Sequence, residues 1–189
     1  MVSITILIIF MAMYTTTSLA IMTATSGTAS IANANSDRNT AMDTLSVSFG
    51  NASEVNDAGT DSQGNQYVEA YVPEYASTMH GSDGNRVDEC VQAKYSISDN
   101  AIMTRTWSPT LITNSSSLPS WKRITSKTVA NTDDIFDVST FNNRRYIRFQ
   151  WTEGKNSAQG YGERMVMALN SHNGAPATPV CMMGSASRS

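Results

Sequence analysis

The sequence has no charged side chain in its first 36 residues, although the rest of the chain carries 13 basic and 16 acidic residues. No proline occurs before Pro73, and the first glycine is Gly27, so no helix breaker interrupts this segment early. An apolar run over residues 4–13 opens it. The function therefore depends on the use of this segment: export, anchoring in a membrane, or packing against copies of itself.

Catalytic signatures are also missing. Only two histidines occur, His80 and His172, and neither a Gly-x-Ser-x-Gly motif nor a reactive-cysteine signature accompanies them. The two cysteines, Cys90 and Cys181, lie too far apart for a CxxC redox or zinc motif. The sequence therefore predicts a protein that is not an enzyme and needs no cofactor or metal.

Two cysteines in an exported protein indicate one long-range disulfide, here between Cys90 and Cys181. Closing so long a loop stabilises a fold by about 4 to 5 kcal/mol if the effect is attributed to chain entropy. The alternative is a pair of buried free thiols in a reducing compartment. The export reading of the N-terminal segment favours the disulfide.

Three interpretations of the N-terminal segment are possible. A secretory signal peptide needs a basic region before its apolar core, and this sequence has none, although residues 18–20 would serve as a cleavage site. A membrane-spanning helix needs about 20 apolar residues. Residues 4–22 approach this requirement with only hydroxyl-bearing polar side chains, but no Lys or Arg near the start sets an orientation.

The third structure is a helix that packs against identical helices in a fibre core. Small and apolar side chains allow such helices to approach closely, and this explains the missing charges. The helix is expected to run toward Met42, with an extended linker within residues 23–40 as the alternative because Thr has modest helix propensity. The side chains predicted to be buried by assembly are Ile4, Ile6, Leu7, Ile8, Ile9, Phe10, Met11 and Met13.

Residues 43–189 read as short strands separated by polar loops. Alternation of apolar and polar residues predicts strands at Thr44–Phe49, with Leu45, Val47 and Phe49 on one face, and at Gln66–Val72. Further strands are expected at Val87–Ile97, Ala101–Trp107, Trp121–Ala130, Arg144–Trp151 and Glu163–Leu169, the last two paired. Seven or eight strands indicate a β-sandwich or jelly-roll-like head. The predicted fold is thus mainly β: an apolar N-terminal α-helix (1–42) followed by this head (43–189).

An uncharged apolar helix that begins at mature residue 1 and precedes a β-rich head resembles type IV pilins and archaellins. The resemblance implies a subunit whose short basic leader has been removed by a peptidase, which accounts for the missing positive charges. A chain that starts with Met and has two widely spaced head cysteines is similar to the type IVb pilin subgroup. Pilins carry Glu at the fifth mature position, where this chain has Thr5, and archaellins lack that Glu.

Other polar clusters support competing functions. Asn51 and Asn114 each begin an N-glycosylation sequon. Oxygen-rich loops around Asp57–Asn65 and Asp83–Glu89 resemble calcium loops only in composition, and ordinary turn chemistry explains them better. A basic-aromatic group could contact phosphates or pair with acids of a neighbouring strand; its members are Lys122, Arg123, Lys127, Arg144, Arg145, Tyr146 and Arg148.

The sequence therefore predicts a structural subunit that assembles with copies of itself into an extracellular, cell-surface filament, with the membrane as a partner before assembly. One alternative is a viral jelly-roll capsid protein in a virion, which would bind nucleic acid through the basic-aromatic group. Another is a membrane-anchored β-sandwich binding module.

Overall fold

The computed structural model describes residues 2–111, 117–125, 129–130, 134–153, 161–171, 176 and 180–181. One helix, α1, spans Val2–Gly50 and is followed by ten strands. The strands are β1 (Glu54–Val55), β2 (Gly59–Thr60), β3 (Gln66–Val72), β4 (Glu89–Ser96), β5 (Ala101–Trp107), β6 (Lys122–Arg123), β7 (Val129–Ala130), β8 (Phe136–Phe141), β9 (Arg144–Glu153) and β10 (Tyr161–Met167). The predicted class, an apolar helix followed by a β-rich head, is confirmed. We call the part after Gly50 the head.

The helix is continuous over 49 residues, which corresponds to about 74 Å at 1.5 Å per residue. It includes all of residues 23–40, so the alternative of an extended linker there is wrong. It also continues beyond Met42, where the helical segment was expected to end. The division of the chain into units at 42/43 stays a prediction, but the helix itself crosses that position.

The strand predicted at Thr44–Phe49 is also wrong, because these residues form the last turns of α1. Leu45 and Phe49 are fully buried, whereas Val47 is 66% exposed. Residues four apart lie on one side of a helix, and the residue between them lies on the opposite side. The apolar pair at 45 and 49 satisfied both the helical and the strand period, and only the environment of Val47 distinguishes them.

The strands form two antiparallel sheets. The six-stranded sheet has the order β1-β3-β4-β5-β6, and β2 pairs with β3 beside β1. The four-stranded sheet has the order β10-β9-β7, with β8 also paired to β9. The predicted pairing of the last two long strands is confirmed by the β9–β10 register, which runs from Tyr161↔Thr152 to Met167↔Tyr146.

One further predicted strand needs correction, and one of the longer strands was not predicted. The single strand expected at Trp121–Ala130 is instead two short strands, β6 and β7, which belong to different sheets. Strand β8 was not predicted at all, because the alternation of Phe136 and Val138 is broken by the polar Thr140, and Phe141 falls on the other face. The strands expected at 66–72, 101–107 and 144–151 are confirmed.

Both sheets and the end of the helix share one hydrophobic core. Phe149 lies at its centre, with the rings of Phe49 and Phe136 packed edge-on at centroid distances of 5.7 and 6.1 Å. The chain that follows β10 closes the end of the helix, because the Leu169 amide donates to the Gly50 carbonyl at 2.9 Å. The last turns of the helix are thus packed into the core of the head.

We expect Phe49→Ala to lower the free energy of unfolding by about 3–5 kcal/mol, because it leaves a cavity beside Phe149. Val47→Ala is the matched control on the same helix, and it should change stability by less than about 0.5 kcal/mol because Val47 is exposed. Denaturant unfolding of the full chain in detergent measures both. Equal losses for the two variants would contradict the helical assignment of residues 44–49.

Candidate assembly helix

The side chains predicted to mediate assembly lie on the surface of α1. All eight of them, from Ile4 to Met13, are between 54% and 72% exposed. The surface continues at Leu19, Ile21 and Met22, which are 62%, 61% and 68% exposed. Large apolar side chains in such numbers are not left in water by a stable soluble protein. This segment of the helix therefore presents an unburied apolar surface, which we call the apolar segment (residues 4–31).

The apolar surface surrounds the helix on all sides. Six consecutive apolar residues, Ile6–Met11, point in six directions because each residue rotates the helix by about 100°. A helix that is apolar all round is found within a large core or a membrane, whereas a two-stranded coiled coil needs only a narrow apolar seam. The apolar segment is therefore suited to an environment that encloses it.

Five threonine hydroxyls of the apolar segment have hydrogen-bond partners within the helix itself. Thr15, Thr16, Thr17, Thr23 and Thr28 each donate to a main-chain carbonyl three or four residues earlier, at 2.8–3.0 Å. These bonds satisfy the only polar hydrogens of the side chains, as in membrane helices. Moving these threonine hydroxyls out of water therefore costs little free energy, although threonine had weakened the helix prediction.

By length and composition, one helix within the described residues is able to cross a membrane. Its most apolar 18-residue window has a mean hydropathy of 2.0, and none of that window is buried. Residues 4–22 correspond to about 28 Å of helix, close to the roughly 30 Å thickness of the hydrocarbon core. Signal sequences and core helices of soluble proteins pass the same test, so length and hydropathy alone do not identify the partner.

The apolar segment ends where the helix meets the head. A stripe of buried side chains begins at Ala34 and continues through Arg38, Ala41, Met42, Leu45 and Phe49. Gly162 of β10 lies directly against this stripe, since a Cβ at this position would overlap the side chain of Arg38. Arg164, two residues further along β10, forms an ion pair with Asp43. The C-terminal part of the helix thus packs against its own head, whereas the apolar segment is exposed.

The other predicted site residues are distributed over the head. Cys90 and Cys181 form a disulfide, with Cα atoms 5.8 Å apart, as the sequence predicted for an exported protein. Asn51 is half-buried just after the helix, and its carbonyl accepts a bond from Asn170 Nδ2 at 2.8 Å. Glycosylation of Asn51 stays a prediction. Asn114 and His172 lie outside the described residues.

The acidic loops are held by turn contacts of their own. Asp61 accepts bonds from the amides of Gln63 and Asn65 at 2.9 Å each, and Asp83 accepts one from the Asn85 amide at 3.1 Å. Burial opposes ionisation of Asp61, but the bonds from Asn65 and Gln63 outweigh it and lower its pKa. No group of three His, Cys, Asp or Glu side chains able to hold a metal occurs within the described part of the chain.

The basic-aromatic group is not brought together. Lys122 and Arg123 lie in the six-stranded sheet, whereas Arg144, Arg145 and Arg148 lie in the four-stranded sheet. Arg148 pairs with Asp137 on the neighbouring strand at 2.9 Å. Arg145 is buried and pairs with Asp57. Two of the arginines thus pair with acids, which is the alternative to phosphate contact that the sequence left open. Lys127 lies outside the described residues.

A buried polar row crosses the six-stranded sheet, and sequence reasoning missed it. Glu69, Gln92 and Arg105 are directly opposite one another on β3, β4 and β5, on the face away from the core. Gln92 donates to Glu69 Oε1 at 2.6 Å, and Arg105 Nε donates to Gln92 Oε1 at 2.7 Å. Glu69 and Gln92 are fully buried. The amide of Gln92 therefore connects a buried carboxylate to a buried guanidinium.

Two other segments cover this row. The Arg105 Cζ lies 4.1 Å from the centre of the Trp121 ring, and Lys94 Nζ lies 4.5 Å from it. At the other end, Asn56 donates to Glu69 Oε2 at 3.0 Å and exchanges two 2.9 Å bonds with the main chain of Val180. Burial lowers the pKa of Arg105, and the charge of Glu69 opposes that shift. The Cys90–Cys181 disulfide holds the Val180 end of this cover in place.

No protein-family model matches the chain, and neither the curated proteins nor the solved structures contain a significant match to it.

We expect Arg105→Met to lower the free energy of unfolding by about 3–5 kcal/mol, because it leaves Glu69 buried without its countercharge. The double variant Glu69→Met/Arg105→Met should lose clearly less than the sum of its two single variants, since no uncompensated buried charge remains, although it also removes the bonds that Gln92 makes to both residues. Denaturant unfolding of the full chain in detergent measures both. If the double variant is as unstable as the sum of its single variants, Glu69 and Arg105 do not act as a pair.

Proposed function

We propose that this protein is a structural subunit that assembles with copies of itself into an extracellular filament through the apolar segment of α1. The observation that supports the proposal is the exposure of Ile4–Met13 around the whole circumference of a helix that is rigidly joined to a folded head. Helices of neighbouring copies can enclose one another completely, whereas the head covers only the part from Ala34 onward.

Burial of the apolar segment releases enough free energy to hold such an assembly together. Burying ten apolar side chains such as Ile6, Ile9 and Phe10 contributes on the order of 15 kcal/mol before entropic costs. Several helices are needed around each one, because two helices in contact would leave the remaining sides of each apolar segment in water. A bundle or fibre with many copies satisfies this requirement better than a dimer does.

The location outside the cell is part of the proposal. A disulfide between Cys90 and Cys181 is typical of an oxidising compartment. The head is rich in Ser, Thr and Asn and low in charge overall. Both features agree with an exported head, with the membrane as the environment of the apolar segment before assembly.

A second candidate function is a membrane-anchored module with a single copy per anchor. The internally satisfied threonines and the roughly 28 Å length of residues 4–22 favour it, because both suit a lipid environment. In that case the partner of the apolar segment is lipid throughout, and the head would have a separate binding role. The two candidates differ in one property, the association of the helices after the detergent is removed.

We expect Ile9→Asp and Phe10→Lys each to abolish assembly while the head stays folded, because each buries a charge among apolar helices. Leu111→Asp is the matched control for Ile9→Asp, since it introduces the same charge at a side chain of the head that is 58% exposed. Negative-stain microscopy after detergent removal scores filaments, and near-ultraviolet circular dichroism of the full chain scores the fold of the head.

Filaments formed normally by Ile9→Asp or Phe10→Lys would overturn the proposal. If the unmodified chain forms no filaments and stays monomeric in liposomes, the membrane-anchored module is favoured instead. Closed shells that retain nucleic acid would favour the capsid alternative.

A further inference from the structure

The four-stranded sheet has one face in the core and one face toward solvent. Side chains directly opposite one another across a pair of strands share a face, so the register of β8, β9 and β10 defines the solvent side. We call this solvent side the outer face. Its members are Asp137, Ser139, Phe141, Arg144, Tyr146, Arg148, Gln150, Tyr161, Glu163, Met165 and Met167.

The outer face is unusually apolar and aromatic. The solvated face of an antiparallel sheet normally carries polar side chains. Here Phe141, Tyr161 and Met165 are 65%, 59% and 61% exposed, and Leu169 follows directly after β10 at 52%. Tyr, Phe, Met and Arg are the residue types that are enriched at protein–protein contacts. The composition of the outer face is therefore that of an interface.

The charges of the outer face are separated along the strands. Arg144 lies at one end; its guanidinium donates to the Leu169 carbonyl at 3.2 Å, and no carboxylate of the described residues lies within 4.0 Å of it. Glu163 lies toward the other end, 3.9 Å from Arg148. Between them, Arg148 is paired with Asp137 at 2.9 Å. The face thus has a positive end, a neutral middle and a negative end.

This arrangement is complementary to itself. Glu163 is opposite Gln150, so six residues of β9, or about 20 Å, separate the rows of Arg144 and Glu163. A two-fold axis that crosses the strands midway, near the row of Arg148 and Met165, brings the positive end of one face onto the negative end of the other. We propose that the outer face docks a second copy of this chain face to face, with the strands of the two sheets antiparallel.

The contact is small. Strands β7 and β8 both pair with the edge of β9 that lies opposite β10, so the sheet is three strands wide. Three strands 4.8 Å apart and about seven residues long give a face of roughly 15 by 25 Å, so two copies bury on the order of 750 Å² together. This area is below that of stable specific interfaces, and it predicts a weak, transient contact between isolated copies. The same contact becomes effective when many heads are held in a row, because their contacts then form together. It does not involve the apolar segment and does not depend on the filament proposal.

Charge reversal tests the orientation. In detergent micelles that cover the apolar segment, sedimentation equilibrium of the full chain measures association through the head. We expect Arg144→Glu and Glu163→Arg each to weaken that association about tenfold, because like charges then face each other. The double variant should return to within about threefold of the unmodified chain. Lys122→Glu and Glu54→Arg are the matched controls, since both introduce the same changes at exposed positions of the other sheet.

Crosslinking tests the position of the axis. Met165→Cys places a thiol near the proposed axis, so a short bis-maleimide should join two copies of this variant at least tenfold faster than two copies of Leu111→Cys. Equal crosslinking rates, a double charge variant no stronger than its single parents, or no association of the unmodified chain in micelles would each overturn the proposal. Ile9→Asp should leave the head contact unchanged, so failure of the filament proposal is distinguishable from failure of this one.

Discussion

The packing of the last turns of α1 into the head is the contact on which the rest of the structure depends. Leu45 and Phe49 insert between the two sheets, and Phe49 contacts Phe149 at the centre of the core. Because the helix is continuous, this contact also fixes the direction in which residues 4–31 leave the head. A flexible linker in the same place would allow the apolar segment to fold back onto any hydrophobic surface of its own head. A helix of about 74 Å cannot fold back, so its apolar surface remains available to other molecules.

The head has a second, polar organising element on the opposite side of the six-stranded sheet. The row of Glu69, Gln92 and Arg105 would be costly to bury if any member lacked its partner. Its cover comes from Trp121 and from Val180, which lies 124 residues away from Asn56 in the sequence. The Cys90–Cys181 bond joins that distant segment to β4, the strand of Gln92. The disulfide and the polar row thus stabilise the same region by different means.

The parts of the fold that could be predicted from the sequence are those determined by local periodicity. Arg144–Trp151 alternates large apolar and polar side chains over a full strand length, and no helical pattern fits it equally well. The strand predicted at Thr44–Phe49 was wrong because Leu45 and Phe49 are compatible with both the helical and the strand period. In addition, Thr, Val and Phe favour strands. The apolar character of the first part of α1 could be predicted because the first 36 residues contain no charged side chain.

The buried polar row could not be predicted in this way. Glu69 alternates with Val68 and Ala70, so the pattern places it on the opposite face of the strand, and the sheet geometry agrees that it faces away from the core. It is buried by segments that are distant in the sequence, and no local pattern indicates such a cover. The neighbouring tryptophans, Trp107 and Trp121, were the available signal, because large aromatic side chains on a polar face indicate a second packed layer.

The threonine contacts of α1 have a kinetic consequence. Each hydroxyl between Thr15 and Thr28 that donates to a carbonyl of its own helix keeps that partner whatever surrounds the helix. Transfer of these threonines from one apolar environment to another therefore breaks none of their hydrogen bonds, and no ionised side chain before Asp37 loses its hydration shell. For these side chains, exchanging lipid for protein neighbours, or one neighbour for another, therefore adds no cost of broken hydrogen bonds to the activation barrier.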